Sequence, residues 1–264
     1  MDHIKINIQD AHLLLTTGEN DRQKIREKIQ SKKFSRVIAV GGDGTIALVA
    51  QELIDKEISL GILPAGSANG LAAELSIPMQ MSDALEKAIN GKANPFDLIK
   101  INDKWHVLHM ADFGLNASLV KRYQSDDHRG LFGYAISGLK EIPNLISTNS
   151  FELKMKELTH TLDSSFVIIA NARRYGTGIE VNPDGKTGDG KFEICCLQSL
   201  SFENYLKQFI EKKEFELNPF KIFSTDQAYI RLREKADFQI DGEYIGELDE
   251  FKIEILKGAV KVIY

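Results

Sequence analysis

No stretch of this sequence approaches the roughly 18 consecutive apolar residues expected of a membrane-spanning helix, and no signal-peptide pattern heads it. An integral membrane protein and a secreted one are both disfavoured, and the expected setting is the cytoplasm. Cysteine is scarce. The two present, Cys195 and Cys196, are adjacent, a poor arrangement for a disulfide, so they read as small buried hydrophobes in a reducing compartment. There is no basic excess: 33 Lys and Arg against 38 Asp and Glu leave a net charge of −5. That argues against broad nucleic-acid binding and still leaves room for a local phosphate pocket. Two common nucleotide fingerprints, GxGxxG and GxxxxGK[ST], are missing, as are internal repeats. What remains is a globular composition, 43% hydrophobic and 27% charged over 264 residues, enough for one large or two modest cores.

The informative stretch runs from Arg36 to Pro78. Val37 to Val40 is a short apolar run that reads as a strand buried on both faces. Gly41-Gly42-Asp43-Gly44-Thr45 then turns the chain, and helical spacing follows to Leu53. A second strand, Leu60 to Leu63, breaks into Pro64-Ala65-Gly66-Ser67-Ala68-Asn69-Gly70 before another helix to Leu75. Two strand–glycine turn–helix units in succession are how an α/β domain builds a ligand crevice at the carboxyl ends of its strands. Backbone amides freed of side chains approach phosphate oxygens there, and Asp43 is placed either to bind Mg²⁺ or to cap the turn.

Around this stretch the pattern changes once. Ile4 to Ile8 and His12 to Leu15 read as strands, and Asn20 or Asp21 as the cap of a helix carrying Ile25 and Ile29. Ser82 to Gly91 bound a further helix. From Phe96 the chain turns β-rich: a hairpin of Phe96–Ile101 with Trp105–Met110 about Asn102-Asp103. Further strands are expected at Phe151–Leu158, Ser165–Ala172, Phe192–Leu197, Ala228–Leu232, Phe238–Asp241, Phe251–Leu256 and Ala259–Tyr264. Helical patterns appear at Gly114–Tyr123, Leu131–Leu145 and Phe202–Lys212. The expected fold is an α/β N-terminal domain with a parallel sheet, residues 1–96, followed by a mostly antiparallel β domain, residues 97–264.

GGDGT followed by LPAGSAN resembles the catalytic domain shared by diacylglycerol kinases, sphingosine kinases and bacterial lipid kinases. Other segments agree in order: Thr16 with Asn20, Phe96-Asp97-Leu98, Asp112 to Ala117, Gly130 to Tyr134, Asn171 to Gly178, Asn182-Pro183, Gly188 to Phe192 and Asp241-Gly242-Glu243. The resemblance implies a two-domain fold like that of NAD kinases and diacylglycerol kinases. It also implies a kinase using ATP and Mg²⁺, with a lipid taken from the membrane surface as acceptor. Thr16, Gly41, Gly42, Asp43, Gly44, Thr45, Gly66, Ser67 and Asn69 would hold the nucleotide. Asp241 would accept the hydroxyl proton with Glu243 beside it, and Asp43 would serve the metal–phosphate end. A second Mg²⁺ would sit at Asp189 with backbone carbonyls of Lys186 and Lys191. On residues alone, Asp241-Gly242 reads as a hairpin turn between Phe238–Ile240 and Tyr244-Ile245, and Asp189-Gly190 as an ordinary turn.

Two departures keep rivals in view. Relatives begin with a strand and an Asn-Pro-x-(Ser/Gly)-Gly loop ahead of the threonine turn; the residues preceding Thr16 contain no such loop. Gly70 stands where diacylglycerol kinases carry Asp, which leaves the lipid class open. The rivals are an NAD kinase-like enzyme, which shares GGDGT, and a non-catalytic lipid- or nucleotide-binding homologue. Three other features carry less. His106 and His109, three apart, would face opposite ways on a strand and lack metal-ligand partners. Arg173-Arg174 reads as a solvated strand end or a phosphate contact, and Lys207, Lys212 and Lys213 as the outer face of a helix.

Overall fold

The computed structural model describes residues 11–114, 117–118, 148–175, 179–197 and 220–264. Helix α1 (Asp21–Ser31) turns Ile25 and Ile29 inward. Strand β1 (Arg36–Gly41), helix α2 (Asp43–Glu52) and strand β2 (Ser59–Pro64) form one β/α unit, with the two strands parallel from Arg36↔Ser59 to Gly41↔Pro64. A helical crossover is what lets neighbouring strands run the same way. Short α3 (Gly70–Glu74) and α4 (Met81–Asn90) complete this half. Glu52, nearly buried, accepts from Arg22 Nε at 2.7 Å and Arg26 Nε at 2.8 Å, fastening α1 to α2.

The second half is strands. In chain order they are β3 (Ala93–Ile101), β4 (Trp105–Val107), β5 (Met110–Gly114), β6 (Asn149–Met155), β7 (Leu158–Ser164), β8 (Phe166–Ala170), β9 (Arg174–Tyr175) and β10 (Ile179–Glu180). Then come β11 (Phe192–Leu197), β12 (Phe220–Thr225), β13 (Gln227–Ile240) and β14 (Glu243–Ile263). The main sheet runs β1-β2-β14-β13-β5-β8-β11-β12, with β3 and β4 branching from β14 and β6 and β7 from β13. Pairings within this half are antiparallel among the described strands. The last strand then returns to the first half, where Lys261 and Val262 pair in parallel with Ser59 and Leu60. Ala259, Val260 and Val262 thereby join the core of α1, α2 and β2. Phe113, Phe151, Phe238 and Phe251 fill a second core, Phe113 stacking on Phe251 with centroids 5.0 Å apart, and Phe166, Ile168, Cys195 and Phe220 belong to a third. The fold is the expected one, a parallel α/β layer joined to a mostly antiparallel β part.

Several boundaries differ from the sequence reading. His12 to Leu15 is not a strand: no described strand lies beside it to take its hydrogen bonds, and Leu13 and Leu15 stand 84% and 70% exposed. Neither Asn20 nor Asp21 makes the expected side-chain cap; Asp21 instead accepts from the N–H groups of Thr17 and Gly18 and closes the turn before α1. Helix α4 starts at Met81, so Ser82 lies inside it, its hydroxyl bonded to Asp83. The expected strand Phe151–Leu158 is two strands, because Lys156 takes a left-handed φ of 52° and turns the chain. Conversely β13 and β14 each unite two expected strands across irregularities at Arg231/Ala236 and Leu256/Val260. A bulge interrupts the hydrophobic alternation without ending the strand. Strand β12 carried no clear alternation in the sequence. Ile4–Ile8, Leu131–Leu145, Phe202–Lys212 and nearly all of Gly114–Tyr123 lie outside the described residues.

Candidate active site

The two glycine loops are built against each other. A Cβ on Gly66 would stand 2.3 Å from the Cα of Gly42, and one on Gly42 3.1 Å from the Cα of Gly66. Two backbones can approach this closely only where neither carries a side chain. Ala65 N–H donates to Gly41 O at 2.9 Å. Asn69, at φ 51°, clasps Gly66 from both sides: its Oδ1 accepts from Gly66 N–H and its Nδ2 donates to Gly66 O, each at 2.8 Å. Asp43 crosses between the loops, its Oδ2 accepting from Gly70 N–H and its Oδ1 from Leu71 N–H, both at 3.0 Å. Thr45 packs so tightly that a Cβ on Gly41 would meet it at 2.6 Å.

Facing these loops is the hairpin turn between β13 and β14. Ile240 pairs with Glu243, leaving Asp241 (φ 49°) and Gly242 (φ 90°) as a two-residue connection, both left-handed as such hairpins require. The Asp241 carboxylate points onto the β4–β5 connection: Oδ2 accepts from Leu108 N–H at 3.0 Å, and Oδ1 from His109 N–H at 2.9 Å and Met110 N–H at 3.0 Å. Asp241 N–H in turn donates to Met110 O. Behind it, Gln239 Oε1 accepts from Gly242 N–H at 2.7 Å while Gln239 Nε2 donates to buried Asp112. Burial pushes the Asp241 carboxyl above its ordinary value, against the pull of these amides and of neighbouring His109.

Between loops and turn lies a cavity of about 250 Å³, its wall including Gly42, Asp43, Gly44, Ser67, His109 and Asp241. Glu243, not itself a lining residue, comes close to Gly44, its Oε1 3.6 Å from where a Cβ there would stand. The structure thus brings together Gly42, Asp43, Gly44, Ser67, Asp241 and Glu243. Gly41, Thr45, Gly66 and Asn69 shape the loops without lining the cavity. Thr16 is exposed and is not among the lining residues.

The Asp189 turn lies elsewhere, in a groove of about 810 Å³ lined by Glu74, Arg173, Lys186 and Asp189 among others. Asp189 Oδ1 accepts from Lys191 N–H at 3.0 Å. Buried Asp97 fastens this turn: it accepts from Gly190 N–H at 2.6 Å and Gly258 N–H at 2.7 Å, and its own N–H donates to Thr187 O. Among the described residues no three His, Cys, Asp or Glu side chains converge as a metal cluster. Arg173, read from sequence as a solvated strand end or a phosphate contact, is instead tied to Glu74 on α3 at 2.9 Å. Three residues that shape these sites, His109, Gln239 and Asp97, are not among those expected from the sequence to do so. Only Asp97 had a signal, its place in Phe96-Asp97-Leu98.

Comparison with known proteins agrees with this architecture. Residues 3–101 match the diacylglycerol kinase catalytic domain, and residues 110–264 match the YegS C-terminal NAD kinase beta sandwich-like domain. A Yersinia enterocolitica protein named "Probable lipid kinase YegS-like" is 29% identical over 258 residues, 95% of this chain and 86% of the relative. One of the same name from Pectobacterium atrosepticum is 27% identical over 258 residues, 94% and 84% of the two chains. A crystal structure of a diacylglycerol kinase from Bacillus anthracis superposes with a TM-score of 0.75 at 22% identity, over 96% of this chain and 84% of that one.

Proposed function

The chain belongs to the family that joins a diacylglycerol kinase catalytic domain to a YegS-type C-terminal domain, and we propose that it is a lipid kinase transferring the γ-phosphoryl group of ATP to a lipid hydroxyl. The nucleotide would lie on residues 1–96, and the acceptor, a diacylglycerol-like or long-chain-base lipid, on residues 97–264. One observation carries the reading: Asp241 faces the paired glycine loops across a single cavity.

The carboxylate's bonding supports its role. Its Oδ1 already accepts two amide N–H groups and its Oδ2 one, so one lone-pair position on Oδ2 stays open. The acceptor hydroxyl would donate there, and Asp241 would take its proton as the oxygen bonds to the γ-phosphorus and the bond from that phosphorus to the bridging oxygen breaks, releasing ADP. A base held this way contributes roughly 10²–10⁴-fold. The glycine loops would hold the phosphates on backbone N–H groups and Ser67, with Thr16 at the nucleotide side. Glu243, close to Gly44, would flank the acceptor.

The donor set suits Mg²⁺. Asp43 and Asp241 face the cavity, and among its described lining residues there is no Lys or Arg, so a bound polyphosphate would lack counter-charge. Asp43 keeps lone pairs beyond its two amide bonds and would hold the ion, which supplies charge neutralisation at the phosphates. Asp189 with the carbonyls of Lys186 and Lys191 is an oxygen-only set suited to a second, structural Mg²⁺.

Among the described residues no helix is long and apolar enough to cross a membrane; the enzyme would meet its lipid at the cytoplasmic membrane surface. Incubation of the purified chain with radiolabelled ATP, Mg²⁺ and a panel of diacylglycerol, monoacylglycerol and sphingoid bases tests the reading. A labelled phospholipid that disappears in Asp241→Asn is expected. No lipid product from the wild type would overturn it, and label in NADP instead would establish the NAD kinase rival.

A further inference from the structure

His109 belongs to the cavity wall and has no part in the chemistry described so far. Its main chain is committed: its N–H holds Asp241 Oδ1 at 2.9 Å and its C=O accepts from Asn171 N–H at 3.0 Å. Its side chain is not. His109 Nε2 is buried, with no hydrogen-bond partner among the described residues. A buried imidazole nitrogen is ordinarily paired, and one on a cavity wall is placed to pair with a group that enters the cavity. The other ionisable and amide side chains of this wall make hydrogen bonds within the fold: Asp43 with Gly70 and Leu71, Asp241 with three amides, Gln239 with Gly242 and Asp112.

The chemistry of the arriving group follows from charge and place. Of the described residues lining the cavity, His109 has the one side chain able to carry positive charge, beside two carboxylates. It adjoins the residue proposed to touch the acceptor hydroxyl, and in transfer the atom bonding to that oxygen is phosphorus. We propose that His109 is a further catalytic residue, its Nε2–H donating to a non-bridging oxygen of the phosphoryl group in transit. This rests on the kinase reading above. The donor acts on charge that grows in the transition state, where a preorganised hydrogen bond is most effective.

The test has two arms. In the kinetic arm, His109→Leu lowers kcat about 10²-fold, leaves the lipid KM within about twofold, and His109→Gln, which keeps an N–H donor, recovers most of the rate. A raised lipid KM at unchanged kcat, or a kcat within twofold of wild type, overturns the proposal. In the second arm, the wild-type imidazole ¹⁵N resonance, assigned by its loss in His109→Gln, is followed by NMR. It should shift on adding Mg·ADP with aluminium fluoride, a stand-in for the phosphoryl group, and shift less with Mg·ADP alone. A resonance indifferent to the fluoride overturns the proposal even if the leucine variant fails to fold. A wild type that phosphorylates no lipid, with the NMR response intact, would sink the lipid acceptor and leave the phosphoryl contact standing.

Discussion

Two Asp-Gly turns face each other across the cavity, and the fold uses them in different ways. Asp43-Gly44 begins helix α2, and its carboxylate reaches sideways to the first amides of α3, so that one side chain fixes two loops. Asp241-Gly242 closes a hairpin, and its carboxylate is drawn onto three successive amides of a different strand connection. The first is a brace within a phosphate-sized cradle. The second is a carboxylate drawn inward with one acceptor position to spare. The dipeptide does not determine the role; the amides that reach it do.

The comparison is tested most severely at Asp241. Asp241→Ala should lower kcat by roughly 10²–10⁴-fold while nucleotide affinity, measured by calorimetry, changes little. An equal loss of nucleotide binding would mean that Asp241, like Asp43, serves the cradle. Gly66→Ala should act on the other side and through structure. Its new Cβ would fall 2.3 Å from the Gly42 backbone, and forcing the loops apart should destabilise by about 1–3 kcal/mol, read by urea unfolding, with nucleotide affinity lost in proportion. The contrasting variant is Gly44→Ala, where the Cβ meets only Glu243 Oε1 at 3.6 Å. At that helical position it should be neutral or stabilising by up to about 1 kcal/mol.

These glycines show what was legible in the sequence. Alternating strand and helix periods, punctuated by GGDGT and PAGSANG, were enough to place two loops side by side. They could not show that Gly42 and Gly66 touch, because contact between backbones leaves no hydrophobic pattern. The second half was less readable for a related reason. β13 and β14 are long strands whose pairing register breaks at Arg231/Ala236 and Leu256/Val260, and extra residues at each break interrupt the alternation, so one strand reads as two. The return of Val260 and Val262 into the first core is a long-range pairing with β2 that no local period encodes. At the site, Asp241 stood out only by resemblance, and Gln239 not at all, since a lone buried glutamine has no signature until its partners are known.

A smaller effect is expected at Asn69. Replacing it by Ala removes two hydrogen bonds to Gly66 and puts a β-carbon residue without local compensation at φ 51°. About 1–2 kcal/mol of stability should be lost, with Asn69→Gly milder because glycine accepts that φ without strain. Equal losses in the two variants would assign the whole effect to the clasp and none to backbone conformation.

The mildest effect at neutral pH, and the one that separates the two aspartates by chemistry, lies in the pH dependence. Asp241 must be ionised to accept a proton, and burial raises its carboxyl above the ordinary value of 3.8. The acid limb of kcat/KM should therefore have its midpoint above 3.8 and vanish in Asp241→Asn, measured on the residual activity. The linkage to stability runs the opposite way. A carboxyl whose folded value exceeds its unfolded one binds its proton more tightly when folded. Its contribution to stability is thus fully present below the unfolded value and lost as pH rises through the folded one. Wild type minus Asp241→Asn, compared by urea unfolding across that window, should show stability declining as activity climbs. A difference rising with pH would mean that the three amides outweigh burial, making Asp241 a structural brace held by its amides and removing it as the base.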